Sequence, residues 1–168
     1  VTVLPVEADG SLPVEAVAAA LRPDTVLVSL MHANNEIGVM HPLAEESKVC
    51  RARGVWLHTD AVQAAGRVPI DFAALGVGLL SLSAHKMGGP KGAGALVVRN
   101  GLPLDPLFVG GGQERRRRAG TENVAAIVGF GAACELAVAK LEADAARLDA
   151  LRGRLEQMGA NVTRHGPR

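Results

Sequence analysis

Aromatic side chains are scarce in this 168-residue chain, with one Trp, three Phe and no Tyr. Alanine, valine and leucine must therefore fill its core, and base stacking on nucleic acid has little to work with. Cysteine is also scarce. Cys50 and Cys134 lie in segments that read as helices, and no CxxC or Cys/His cluster accompanies them, which argues against a zinc site. Two thiols suit a reducing compartment rather than a disulfide scaffold. The formal net charge of +1 supplies no field toward nucleic acid or an anionic membrane. No uninterrupted apolar run reaches the roughly 18 residues a membrane span needs, and no signal peptide is visible. What remains is an ordinary soluble composition, 48% apolar and 21% charged, in a chain long enough for one domain with a sizeable core. There is no initiating Met, and the chain stops at "TRHGPR" soon after a long helical pattern. It reads as a piece of a longer protein.

Strand and helix patterns alternate along the sequence. Residues 1–6 read as a strand, and "DGSLPVEAVAAALRPD" gives a turn and then a helix opened by Pro13. "TVLVSLM" (25–31) is a continuous apolar run of the kind buried on both faces of a sheet. Residues 42–54 predict a helix between Pro42 and Gly54, and 55–60 a strand. A short helix at 71–77 and strands at 78–83 and 93–99 follow. This alternation predicts parallel βαβ units in a three-layer α/β domain over residues 1–120. From Thr121 the pattern is helical, with Leu141, Ala145, Leu148, Leu151, Leu155 and Met158 spaced three and four apart. Gly129 and Gly131 are candidate bend points in that helix.

The chemically distinctive residues follow the strands. "HANNEIG" comes after 25–31, Asp60 and "AVQAAG" end 55–60, and "AHK" follows 78–83. Parallel sheets bind ligands beyond the carboxyl ends of their strands. Asn35, Asp60, Gln63, Ser83, His85 and Lys86 are thereby delivered to one edge. A lysine beside a flexible glycine-rich loop can form an imine with an aldehyde cofactor. Pyridoxal 5'-phosphate (PLP) needs such a lysine, a carboxylate that keeps its ring nitrogen protonated, and donors for its phosphate. Lys86, Asp60 and the pair Ser83/His85 fill those roles, and Gln63 lies about one turn beyond Asp60. Each residue alone has an ordinary explanation. Lysine after a strand is usually a solvated charge, Asp60 could cap a helix, and "GGPKGAG" lacks the spacing of a nucleoside-triphosphate loop.

Four stretches then carry a resemblance. "MHANNEIGV", "HTDAVQAAGRVPID", "SLSAHKMGGPKGAGAL" and "GGGQERRRRAGTENVAAIVGF" are similar, in order and spacing, to motifs of the NifS/IscS-type cysteine desulfurases. These are class V PLP-dependent enzymes of the aminotransferase superfamily. The resemblance runs from about Thr25 to Ala137. It implies the large domain of a fold type I PLP-dependent transferase, three-layered and here partial. It implies that Lys86 binds the cofactor covalently, Asp60 pairs with the pyridine nitrogen, Gln63 bonds the ring hydroxyl and Asn35 lies at the ring-oxygen side. Ser83 and His85 would hold the phosphate, and Thr121 would reach the phosphate of a partner subunit in a homodimer. The implied substrate is L-cysteine, giving L-alanine and a persulfide for iron–sulfur cluster assembly or other sulfur transfer to acceptor proteins. The implied location is the cytoplasm.

Parts of that family pattern are absent from these residues. They include the upstream phosphate loop, the histidine that stacks on the ring, and a small domain with the carboxylate-binding arginine and the persulfide cysteine. Residues 121–168 read as a helix leading toward that small domain. Cys50 and Cys134 do not match the persulfide cysteine and read as buried small hydrophobes. Selenocysteine lyase, another class V aminotransferase or epimerase, and an inactive fragment stay open as alternatives. "RRRR" (115–118) could in principle contact nucleic acid phosphates. It is short, however, and the near-zero net charge favours a subunit-facing or cofactor-facing loop without nucleic acid or membrane partners.

Overall fold

The computed structural model describes residues 1–159. Four strands form one sheet in the order of the chain: β1 (Leu27–Met31), β2 (Trp56–Asp60), β3 (Leu79–Ser83) and β4 (Gly94–Val98). The first three run parallel, and β4 runs antiparallel to β3. The uniform parallel arrangement expected from the sequence thus ends at β3. Residues 84–93 alone join β3 to β4, which is shorter than the crossover of about a dozen residues that a parallel return requires.

The helices are α1 (Val14–Ala20), α2 (Leu43–Ala52), α3 (Phe72–Leu75) and α4 (Val124–Met158). The crossovers β1–α2–β2 and β2–α3–β3 put α2 and α3 on the same sheet face, as successive connections of one hand must. That face is apolar. Val17 of α1 and Leu43 and Cys50 of α2 pack with Leu57, Val77 and Leu80. Leu43 is almost wholly buried, which stabilises the fold by about 1.5–3 kcal/mol relative to an exposed leucine. Side chains alternate along β2, so Leu57 and Thr59 turn to the core while His58 and Asp60 turn to the opposite face.

Several sequence expectations need correction. Residues 1–6 form no strand, because no neighbouring strand pairs with them among the described residues. β1 forms as expected but is not buried on both faces. Leu27 is exposed, since β1 is an edge of this sheet. Cys50 is buried as expected, whereas Cys134 is half-buried. α4 runs continuously through Gly129 and Gly131. Gly129 instead makes room, since a Cβ there would meet the Pro90 ring at 3.2 Å.

α4 is apolar and long enough, by composition, to cross a membrane. Glu135 and Lys140 interrupt its apolar half, however, and that half packs on the loop after β3. Ile127, Val128, Leu136 and Val138 remain exposed along it.

Candidate functional site

β2 ends at Asp60 and β3 ends at Ser83, and the two ends lie side by side in register, with Asp60 opposite Ser81. Asp60 Oδ1 accepts the Val62 amide at 2.9 Å, so this oxygen caps the turn that follows. The expected helix cap is here only a turn cap, made by one oxygen, and Oδ2 has no hydrogen bond among the described residues. Gln63 lies half-buried in that turn, and its carbonyl accepts from the Arg67 guanidinium at 3.3 Å. The turn closes without becoming a helix, because Gly66 takes a left-handed φ of 75°.

Beyond Ser83 the chain winds into a short 3-10 helix, Ala84–Met87, that carries His85 and Lys86. Ser83 Oγ and His85 Nδ1 are 2.8 Å apart, so the two form one polar unit at the strand end. Lys86 is half-buried and makes no salt bridge among the described residues. Two glycines then set the loop for different reasons. Gly88 ends the 3-10 helix at φ 80°, a left-handed setting that glycine adopts without strain. Gly89 is needed for space. A Cβ there would lie 3.0 Å from the Ala84 carbonyl oxygen and 3.1 Å from Ala133 of α4. α4 thus presses directly on the segment that carries Lys86.

The loop after β1 completes the same edge. The His32 amide donates to the Asp60 carbonyl at 2.8 Å, so the loop begins hydrogen-bonded to the end of β2. Asn34 Oδ1 accepts the amides of Glu36 and Ile37 at 2.8 and 3.0 Å. Asn34 shapes the loop, and Asn35 is left exposed.

The structure therefore gathers Asn35, Asp60, Gln63, Ser83, His85 and Lys86 at the carboxyl ends of three parallel strands. It does not bring Thr121 to them. Thr121 is exposed in the segment before α4, and Asn123, not Thr121, caps that helix by accepting the Ala126 amide at 3.2 Å. The preceding loop is unusual. Glu114, Arg115 and Arg116 all have positive φ, of 47°, 55° and 64°, at about 1–2 kcal/mol each for a non-glycine residue. Arg118 lies over the Phe108 ring at 5.1 Å. A shallow groove lined by Phe108, Val109, Gly111 and Arg116 runs along this loop and touches no candidate at the strand ends.

Sequence reasoning missed three residues next to the site. His58 bridges Ser29 Oγ of β1 through Nδ1 and Ser81 Oγ of β3 through Nε2, both at 2.8 Å. Burial pushes its imidazole below the ordinary value of 6.5, while the charge of Asp60 acts the other way. Stepping back by two from Asp60 along the strand would have pointed to it. Neither cysteine suits nucleophilic work. Burial pushes both thiols up, and Glu46 adds to the effect at Cys50.

Comparison with known proteins follows the same outline. The chain is 47% identical to the cysteine desulfurase IscS of Dictyoglomus turgidum, over all of this chain and 44% of that protein. A solved NifS-like protein superposes with a TM-score of 0.89 at 40% identity, over 93% of this chain and 43% of that one. A structure described as SspA in complex with cysteine matches 80% of this chain and 39% of its own, with a TM-score of 0.77 at 41% identity. The chain spans less than half the length of these relatives. The pattern of the class-V aminotransferases matches residues 1–160, nearly the full sequence, and the chain belongs to that family.

Proposed function

We propose that the protein carrying this chain is a PLP-dependent cysteine desulfurase and that these residues form much of its cofactor site. The observation that supports this reading most is the position of Lys86. It lies one short turn past the end of β3, next to the Ser83–His85 pair and on the same edge as Asp60. The donor set suits the cofactor. Asp60 has one oxygen free for a pyridinium N–H. The Ser83–His85 pair offers donors of the kind a phosphate takes. Lys86 has no competing carboxylate among the described residues. Bound there, PLP would act as an electron sink for the substrate's Cα carbanion.

The residues of the chain would divide the remaining work. Asp60 would pair with the ring nitrogen and hold it protonated. Gln63 and Asn35 would orient the ring from its oxygen side. Lys86, once released by an incoming amino acid, would take the α-proton and return a proton to the product. The proposed substrate is L-cysteine, as in the relatives named cysteine desulfurase and the solved complex with cysteine. L-cysteine and a protein thiol would give L-alanine and a persulfide, which balances in atoms and electrons. Cys50 and Cys134 are poor candidates for that thiol, so it would lie outside this chain. Acceptor proteins for iron–sulfur assembly, a cytoplasmic location and a homodimer are part of the same proposal. The exposed apolar side chains of α4 and the charged loop before it support a subunit contact, where Thr121 would meet the partner's cofactor.

Borohydride reduction of the full natural polypeptide loaded with PLP, followed by peptide mapping, tests the reading. A reduced pyridoxyl group is expected on Lys86 and is lost in Lys86→Ala. A label on Lys48 or Lys91 instead would overturn it.

A further inference from the structure

We infer that His58 is a positioning residue for Asp60, acting through Ser81; this rests on the cofactor site proposed above. His58 and Asp60 stand two residues apart on the same face of β2, and Ser81 is the register partner of Asp60 on β3. The His58–Ser81 bond therefore crosses from β2 to β3 immediately behind the carboxylate. The His58–Ser29 bond makes the matching link to β1. One imidazole thus ties three parallel strands together one step short of their functional ends.

The chemistry of the bridge is directional. A neutral imidazole offers one donor and one acceptor. Spanning two hydroxyls, it satisfies both nitrogens, and one serine must donate to the ring while the other accepts from it. The serine that accepts keeps its own proton for a neighbour on that face. A protonated ring would have two donors and would break this order. Burial opposes that protonation.

The opposite sheet face is held by aliphatic packing, through Leu57 and Leu80. On the Asp60 face Ser29 and Ser81 flank His58, beside the apolar Leu79 and Met31, which are the register partners of His58 and Asp60. The two His58 hydrogen bonds supply polar links between the strands on this face, next to Asp60. A backbone ladder fixes the register of the strands, but it does not fix the direction of a side chain at a strand end.

A double-mutant cycle tests the inference in the full natural polypeptide. The apo protein would be titrated with PLP by visible absorbance, and the pH midpoint of the bound-cofactor band would be recorded. His58→Phe keeps the ring shape and removes both bonds. It is expected to raise the PLP dissociation constant about tenfold, as for the loss of one or two hydrogen bonds, and to shift the pH midpoint. His58→Gln, which retains a donor and an acceptor, should recover part of both effects. In an Asp60→Asn background, His58→Phe should change the dissociation constant less than about twofold, because the carboxylate it positions is gone. Equal effects in both backgrounds would overturn the inference and leave His58 a structural residue. Should His58→Phe fail to fold, Ser81→Ala enters the same cycle with the same expected outcome. Unchanged cofactor binding in Asp60→Asn alone would also overturn it. Absence of a Lys86 label in the unsubstituted protein would overturn the cofactor reading itself, a separately visible result.

Discussion

Glu46 is the least comfortable side chain in this fold, and replacing it should stabilise the protein. It is fully buried in α2, and neither carboxylate oxygen has a hydrogen bond. Its nearest cation candidate is His41 Nδ1 at 3.6 Å, close enough for attraction but too long for a hydrogen bond. Its place in the first turn of α2 gives some compensation, about 0.3–1 kcal/mol from the helix dipole. That is small beside the several kcal/mol needed to remove a carboxylate from water. Met has a similar length and shape, adapts to irregular space and keeps helix propensity. Glu46→Met should therefore raise stability by about 1–3 kcal/mol, the cost of an unsatisfied buried polar group that it removes. His41→Leu alone should cost about 3–5 kcal/mol, because it leaves the buried carboxylate with no partner. The double substitution should recover most of that loss. Denaturant unfolding of the full polypeptide with all four combinations measures each value. If Glu46→Met loses 2 kcal/mol or more and the double substitution is merely additive, the carboxylate is favourably held and the reasoning fails.

The remaining predictions concern the loop, the core strand and acid. Gly88→Ala and Gly89→Ala should both weaken PLP binding, but by different routes: about 1–2 kcal/mol of backbone strain at Gly88, and overpacking of about 1–3 kcal/mol at Gly89. Ala133→Gly should relieve only the second, as read by cofactor titration of the paired variants. Thr59 is fully buried with an unpartnered hydroxyl, so Thr59→Val should be neutral or stabilising by up to about 1–2 kcal/mol in chemical unfolding; a loss above that size would reveal a partner for the hydroxyl. Burial lowers the imidazoles of both His32 and His58 from 6.5, so the unfolded chain takes up more protons below that pH. Their contribution to stability is complete above about 6.5 and falls as pH drops toward their folded values. An unfolding midpoint that stays flat or rises between pH 7.5 and 5.5 would contradict this.

The strands and helices were legible wherever a local signal acted alone. Period and punctuation located α2, β2 and β3 to within a residue or two, since Pro42, Gly54 and Asp60 act on their own backbone. The failures were non-local. Residues 1–6 carry strand composition, but a strand exists only with a neighbour. The apolar run at β1 signals two buried faces, and burial depends on what covers them. The direction of β4 was readable from the short connection at 84–93, although alternation alone suggested otherwise. Gly129 shows the same limit. Glycine in a helix pattern marks either a bend or a close approach, and at Gly129 the close approach shows only once Pro90 is in place.

For the site, the sequence revealed residues whose chemistry is unusual for their position, such as a lysine at a strand end or a carboxylate closing an apolar run. It concealed residues whose chemistry is ordinary and whose partners are distant. Ser29, His58 and Ser81 are separated by 29 and 23 residues along the chain, and a serine or histidine in a strand carries no mark of the bond it will make. Their relation follows from strand register alone. Once β1, β2 and β3 are paired, position 58 must face 29, and 81 must stand beside 60. Thr121 is the opposite case. The motif around it is distinctive, yet its hydroxyl makes no hydrogen bond among the described residues, and Asn123 caps α4 in its place. The proposed role for its hydroxyl is a contact with a cofactor phosphate brought by a second subunit. Mixed dimers of Thr121→Ala and Lys86→Ala subunits therefore read that role directly. One site in the mixed dimer joins the intact Lys86 to the intact Thr121 and should bind PLP normally, while a site as weak as in the Thr121→Ala homodimer would exclude the cross-subunit contact.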